Sequence, residues 1–197
     1  MSFSEFEMKQ QVNEYLNRYV DFEEEEINQF YSLLQHQVFP KKSYLLRAGK
    51  TCKHKFFLIK GLVRCFYIDD HGTDRTVQFA IENWWVTSME SFLKEKPSQV
   101  SIQAMEDTEV LMLSKNNLNE LYEAIPKLER LFRITTENML VAIQNRHEFY
   151  MKKSGREKYD LILEHIPQLA QRVPQYILAS YLEMTPEHLS ALRKTVR

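Results

Sequence analysis

The stretch RVPQYILASYLEMTPEHLSALRK, residues 172–194, decides how this chain is read. It divides into two short helical segments around a tight turn. Thr185 is a good N-cap, because its hydroxyl can accept from a free N–H of the first helical turn. Pro186 suits the first helical position, where a missing N–H costs nothing, and Pro174 opens the preceding segment in the same way. Leu178, Tyr181 and Leu182 can face Leu189 and Leu192 across the turn, and Ala179 is small enough for close approach. This is the pattern of a helix-turn-helix whose second helix lies in the DNA major groove. It is equally the pattern of a plain αα-hairpin at a domain end.

Charge distribution favours the first reading. Residues 152–197 hold eight basic and five acidic side chains, a net +3, which leaves −4 on the rest of a chain whose total is −1. A basic end on an acidic body suits a DNA-binding segment attached to a sensor or scaffold. The run Glu23–Glu26 reads as a solvated first helical turn. With 197 residues, 44% hydrophobic and 27% charged, the chain is one large domain or two small ones. Its apolar runs are far too short to span a membrane, and MSFSEFEMKQQ is no signal peptide, so the expectation is a cytoplasmic protein without membrane contact. Cys52 and Cys65 are too few for a disulfide framework or a thiolate cluster.

Upstream, Val12, Leu16, Val20, Ile27, Phe30 and Leu34 recur at helical spacings and predict helix over 4–36. From Val38 to Leu113 the chain turns β-branched and aromatic. KFFLI and LVRCFYI flank Lys60-Gly61, a hairpin turn, and DDHGTD at 69–74 is another. Six to eight short strands at this spacing indicate a sandwich, jelly roll or barrel. Ser114 then caps a helix over NNLNELYEAI, and Pro126 opens a long one to about Lys153. Along it Leu128, Phe132, Thr135, Met139, Ala142, Arg146 and Phe149 follow threes and fours, a heptad seam suited to a second copy of the chain. Leu131, Ile134, Leu140, Val141 and Ile143 lie off it, so the helix is apolar on two sides. Gly155 ends or bends this helix as a hinge into the C-terminal segment.

In this order FFLIKGLVRCFY at 56–67, SGR at 154–156 and the terminal helix pair resemble the Crp/Fnr family of transcription regulators, most of all its short Bacteroidetes-type members. The resemblance spans nearly the whole chain. It implies an α+β fold of N-terminal helices and an antiparallel β-roll (jelly-roll-like), a long dimerisation helix, and an all-α helix-turn-helix without a β-wing. The implied boundaries are a cyclic-nucleotide-binding-like sensor at 1–125, a dimerisation helix at 126–153 and a DNA-binding domain at 154–197. The implied partners are double-stranded DNA, a second copy of the chain, a small-molecule effector and, for a regulator, RNA polymerase.

Departures from the family pattern bear on the effector. Members that bind cyclic AMP place Phe-x-Gly-Glu-Leu and an Arg-Ser pair around the phosphate. Here those segments fall on WVTSMESF (85–92) and PSQVSIQA (97–104), so Thr87, Ser88 and Met89 stand in the first, and Ser98 and Gln99 replace the pair. A buried phosphate without a counter-charge is costly, so cyclic AMP is not the expected effector. Trp84, Trp85, Met89, Phe92 and Gln99 either line an apolar pocket or belong to the core. No His-x-His with a nearby Glu suggests a metal, no nucleophile motif suggests an enzyme, and no cofactor is expected.

On the second helix Glu187 can accept from a cytosine amino group, His188 can donate to a purine and Ala191 can touch a thymine methyl. Arg193, Lys194 and Arg197 suit phosphates, with Gln175, Tyr176 and Thr185 fixing the backbone register. A competing expectation is a ligand-binding or protein-interaction module whose DNA-binding segment has decayed.

Overall fold

The computed structural model describes residues 3–194, without the side chains of residues 147–150. It divides into two compact units: Met1–Arg64 with Phe79–Asn138, and Cys65–Gln78 with Met139–Arg197.

Helix α1 (Glu5–Asn17) begins at a capping box: the Ser4 hydroxyl accepts from the Glu7 N–H, and the Glu7 carboxylate accepts from the Ser4 N–H at 2.8 Å. The Ser4 N–H and the Ser4 hydroxyl, both donating to the carboxylate, hold the Glu7 pKa below its ordinary value. Met8, Val12, Tyr15 and Leu16 form its buried stripe. In α2 (Glu24–Ser32), Glu23 is the N-cap of the acidic run. The run is not merely solvated, because Lys127 donates to the Glu26 carboxylate at 2.9 Å. The helix predicted over 4–36 is two helices, interrupted at 18–23 where Val20 lies, and it stops earlier than 36: Gln35 and His36 already belong to β1 (Gln35–Phe39), where they pair with Met112 and Leu111. Strand pairing overrides the helical spacing there.

The β region follows as β2 (Tyr44–Leu46), β3 (His54–Lys60), β4 (Val63–Ile68), β5 (Asp74–Ala80), β6 (Trp85–Val86), β7 (Ser101–Ala104) and β8 (Thr108–Ser114). Two four-stranded sheets run in the orders β1-β8-β3-β6 and β2-β7-β4-β5. Each mixes strands from distant parts of the sequence, as a jelly roll requires. The six-residue helix α3 (Met89–Lys94), which the sequence reading did not include, lies between β6 and β7.

Gly61 makes the β3–β4 turn with φ +105°. Only glycine fits: an added Cβ would lie 2.5 Å from Thr108 Oγ1 and 2.8 Å from Thr108 Cα. Lys55, on β3, is buried with its ammonium 4.6 Å from the Phe132 ring centroid and 5.8 Å from that of Phe92. Burial lowers its pKa.

Ser114 caps α4 (Lys115–Ala124), as expected, accepting from the Asn117 N–H at 3.1 Å. The long helix α5 (Lys127–Lys152) follows. Its predicted seam is corrected at both ends. Leu128 and Phe132 are buried within the first unit together with Leu131, so they offer no face to a partner. Beyond Asn138, Met139, Leu140, Val141 and Ile143 are all exposed, and Ala142 with them. The unpartnered apolar surface is therefore centred on 139–143, mostly on the off-seam set. Thr135 is half-buried, and Arg146 is occupied inside the second unit. The Phe149 side chain lies outside the described residues.

Gly61→Ala is expected to lower stability by about 2–4 kcal/mol and the Tm by roughly 5–15 °C. A thermal melt within roughly 1 °C of the parent would refute the close approach.

Candidate nucleic-acid interface and the effector region

The C-terminal unit is built on four short helices. α6 (Gly155–His165) starts at a second capping box, with Ser154 as N-cap and the Glu157 carboxylate accepting from the Ser154 N–H at 2.8 Å. Gly155 therefore opens α6 in place of closing α5. Its lack of a Cβ makes room for α9 and the turn before it: a Cβ there would meet the His188 ring at 3.2 Å and Met184 Cε at 3.5 Å. α7 (Pro167–Arg172), α8 (Gln175–Tyr181) and α9 (Pro186–Lys194) follow. Pro174 is the N-cap of α8, one place before the predicted first turn. Tyr159, Leu169, Val173, Ile177, Leu178, Ala179, Leu182 and Leu189 bury the centre of this unit.

The turn between α8 and α9 is a Schellman closure. The Met184 N–H donates to the Ala179 carbonyl at 3.0 Å and the Glu183 N–H to the Ser180 carbonyl at 3.2 Å. Glu183 stands at the left-handed position, φ +56°, where glycine is usual. Two cross-ties fix α9. The Thr185 hydroxyl accepts from the His188 N–H at 3.2 Å, and the Gln175 amide donates to the Pro186 carbonyl at 2.9 Å. Thr185 and Gln175 thus shape the turn, and their predicted phosphate role competes with these bonds.

The outer face of α9 is open. Glu187, His188, Ala191, Arg193 and Lys194 are exposed, and Pro186, Glu187, Ser190, Ala191 and Lys194 line a shallow concavity. Tyr176 is 63% exposed at the start of α8. His188 differs from its neighbours because one edge of its ring rests on Gly155. Its role is thereby partly structural. Arg197 lies outside the described residues.

The predicted effector residues separate into three settings. The hydroxyls of Thr87, Ser88 and Ser98 all bond to the protein, Ser88 and Ser98 to each other and Thr87 apart from them. Thr87 donates to the His54 carbonyl at 3.0 Å and lies 3.3 Å from Cys52 Sγ. Ser98, almost fully buried, lies 2.9 Å from Ser88 Oγ and 2.8 Å from the Val100 carbonyl, and accepts from the Val100 N–H. Gln99 is exposed, and Met89 is half-buried on α3. Trp85 packs elsewhere, its ring 5.2 Å from Phe57 and 5.8 Å from Phe132, on the side of the sheet that meets α5. Sequence reasoning missed Ser91, whose hydroxyl accepts from the Cys52 N–H at 2.8 Å and donates to the Lys96 carbonyl. Nothing in its local sequence marked it. Among the described residues no cluster of His, Cys, Asp or Glu could hold a metal, and no helix is long and apolar enough to cross a membrane.

Residues 36–124 match the cyclic nucleotide-binding domain family. No curated protein matches the sequence. Solved structures do match the fold. FixK2 from Bradyrhizobium japonicum has a TM-score of 0.71 at 15% identity, covering 83% of this chain and 84% of that one. The c-di-GMP responsive global regulator CLP of Xanthomonas campestris has a TM-score of 0.71 at 14% identity, covering 88% and 91%. The catabolite activator protein of Thermus thermophilus has a TM-score of 0.59 at 18% identity, covering 92% and 86%. Residues 36–124 thus match a cyclic nucleotide-binding domain, and the chain shares the fold of these solved structures.

Glu183→Gly is expected to stabilise the chain by about 0.5–1 kcal/mol. It relieves ~1–2 kcal/mol of left-handed strain against a smaller loss through the flexible unfolded state. Chemical denaturation showing a loss of stability would contradict the strain at this turn.

Proposed function

We propose that this chain is a homodimeric, DNA-binding transcription regulator. The observation that carries the proposal is the make-up of the second unit. One compact body holds a helix-turn-helix with an open second helix and the exposed apolar surface Met139–Ile143 of α5. Covering that surface with its own copy would place two α9 helices in one particle, as paired half-sites require. Glu187, Ala191 and the free edge of His188 are assigned to bases, and Arg193 and Lys194 to phosphates. Tyr176 is assigned to the backbone beside α9. The resemblance to global and catabolite regulators supports this reading, as does the basic balance of residues 152–197.

Genome-wide recovery of bound DNA is expected to yield a two-fold symmetric motif. On that DNA, Glu187→Ala is expected to relax preference at one base pair per half-site by about 1–3 kcal/mol. Arg193→Ala is expected to weaken all sequences alike and to reduce the salt slope by about 1 per subunit. Identical behaviour of the two variants would overturn the division of roles. Absence of any bound motif would favour the protein-interaction reading.

The same reading assigns no cyclic AMP site. Where the phosphate would sit, Thr87, Ser88 and Ser98 already bond to the protein. Desolvating a phosphate there without an arginine costs more than hydroxyls return. Isothermal titration is expected to show no saturable binding of cyclic AMP in the micromolar range. A micromolar Kd would refute the assignment.

A further inference from the structure

Strand β5 ends its sheet, so one row of its backbone groups has no neighbouring strand. Within the second unit a single side chain takes the place of that neighbour. The Ser180 hydroxyl, on α8, accepts from the Thr76 N–H at 3.1 Å and donates to the Asp74 carbonyl at 3.0 Å. These are the two groups, two residues apart on one edge, that an adjoining strand would engage. A hydroxyl has one proton to give, so this donation commits it. The next side chain, Tyr181, lies under the Arg146 guanidinium, 4.2 Å from the ring centroid. Arg146 belongs to α5 and donates to the Val77 carbonyl, also on β5. Three elements therefore meet at one point: the hairpin strand, the first helix of the helix-turn-helix, and the distal half of the long helix.

We infer that Ser180 and Arg146 are positioning residues that fix the helix-turn-helix relative to the distal half of α5, and so set the half-site separation a dimer accepts. This rests on the reading of the chain as a dimeric DNA binder. Loose tethering would leave the reading helix intact and its local contacts unchanged. It would only widen the range of distances between two such helices. The latch accordingly governs spacing and not base preference. Thr76 supplies an internal control. Its own hydroxyl is buried without a partner, whereas its N–H carries the bond to Ser180.

The test uses the full chain with Ser180→Ala, Ser180→Thr, Arg146→Gln and Thr76→Val. Amide hydrogen exchange at Thr76 is expected to speed up about tenfold in Ser180→Ala, and to return towards the parent rate in Ser180→Thr. Binding is then measured on palindromic DNA whose half-site spacing changes by single base pairs, beside a duplex with one half-site. The parent and Thr76→Val are expected to discriminate against a one-base-pair change by about tenfold or more. Ser180→Ala and Arg146→Gln are expected to lose most of that discrimination while binding the single half-site as the parent does. Parental spacing preference in both Ser180→Ala and Arg146→Gln overturns the inference, as does an unchanged Thr76 exchange rate in Ser180→Ala. A parent that binds no DNA overturns the regulator reading and the spacing claim with it, while the exchange rates still decide whether the latch exists.

Discussion

Four aromatic rings hold the first unit together. Tyr15 of α1 meets Phe57 of β3 at 5.0 Å, Phe57 meets Trp85 of β6 at 5.2 Å, and Trp85 meets Phe132 of α5 at 5.8 Å. The contacts are tilted or edge-on, the arrangement aromatic quadrupoles prefer, each adding about 0.5–1.5 kcal/mol beyond burial. Through them one sheet is fastened to the helix that precedes it and to the helix that follows the roll. Burial of the Tyr15 phenol pushes its pKa well up, as expected of a ring end withdrawn from water. Because Phe132 is consumed in this stack, the first turns of α5 serve the sheet, and its apolar residues become free only past Asn138.

Much of the fold was legible because its signals are local. Ser114 is an N-cap, Gly61 sits at a hairpin turn that tolerates no side chain, and Thr185-Pro186 opens α9. Each is decided by a residue and its near neighbours. What was not legible depended on distant partners. Gln35 and His36 leave the helical pattern because β8 pairs with them. The long-helix seam rests on spacings of three and four alone. A helix apolar on two sides satisfies those spacings on either side, and only the packing of Leu128 and Phe132 separates the two sides.

The candidate site divides in the same way. The open face of α9 follows from one amphipathic turn, so its residues could be named from sequence. Thr87, Ser88 and Ser98 stand in the two segments that the family resemblance marks, but the first of those segments also carries Trp85 and does not separate it from them. Its ring faces the side opposite its neighbour Val86, whose partner in β3 is Phe56. Ser91 was missed because its partners, Cys52 and Lys96, are invisible to any reading of SFLK alone. The latch at Ser180 was missed for the same reason, since Asp74 and Thr76 lie more than a hundred residues away.

Gly155 ties the size of one side chain to the absence of another. It is the first residue of α6, where most residues would serve the helix as well or better. The ring of His188 stands 3.2 Å from where a Cβ would be. Substituting a larger side chain at 155 would displace the imidazole. Shrinking 188 would release 155 to become alanine or serine. The two positions are therefore sterically coupled, and the side chain tolerated at one depends on the size of the other.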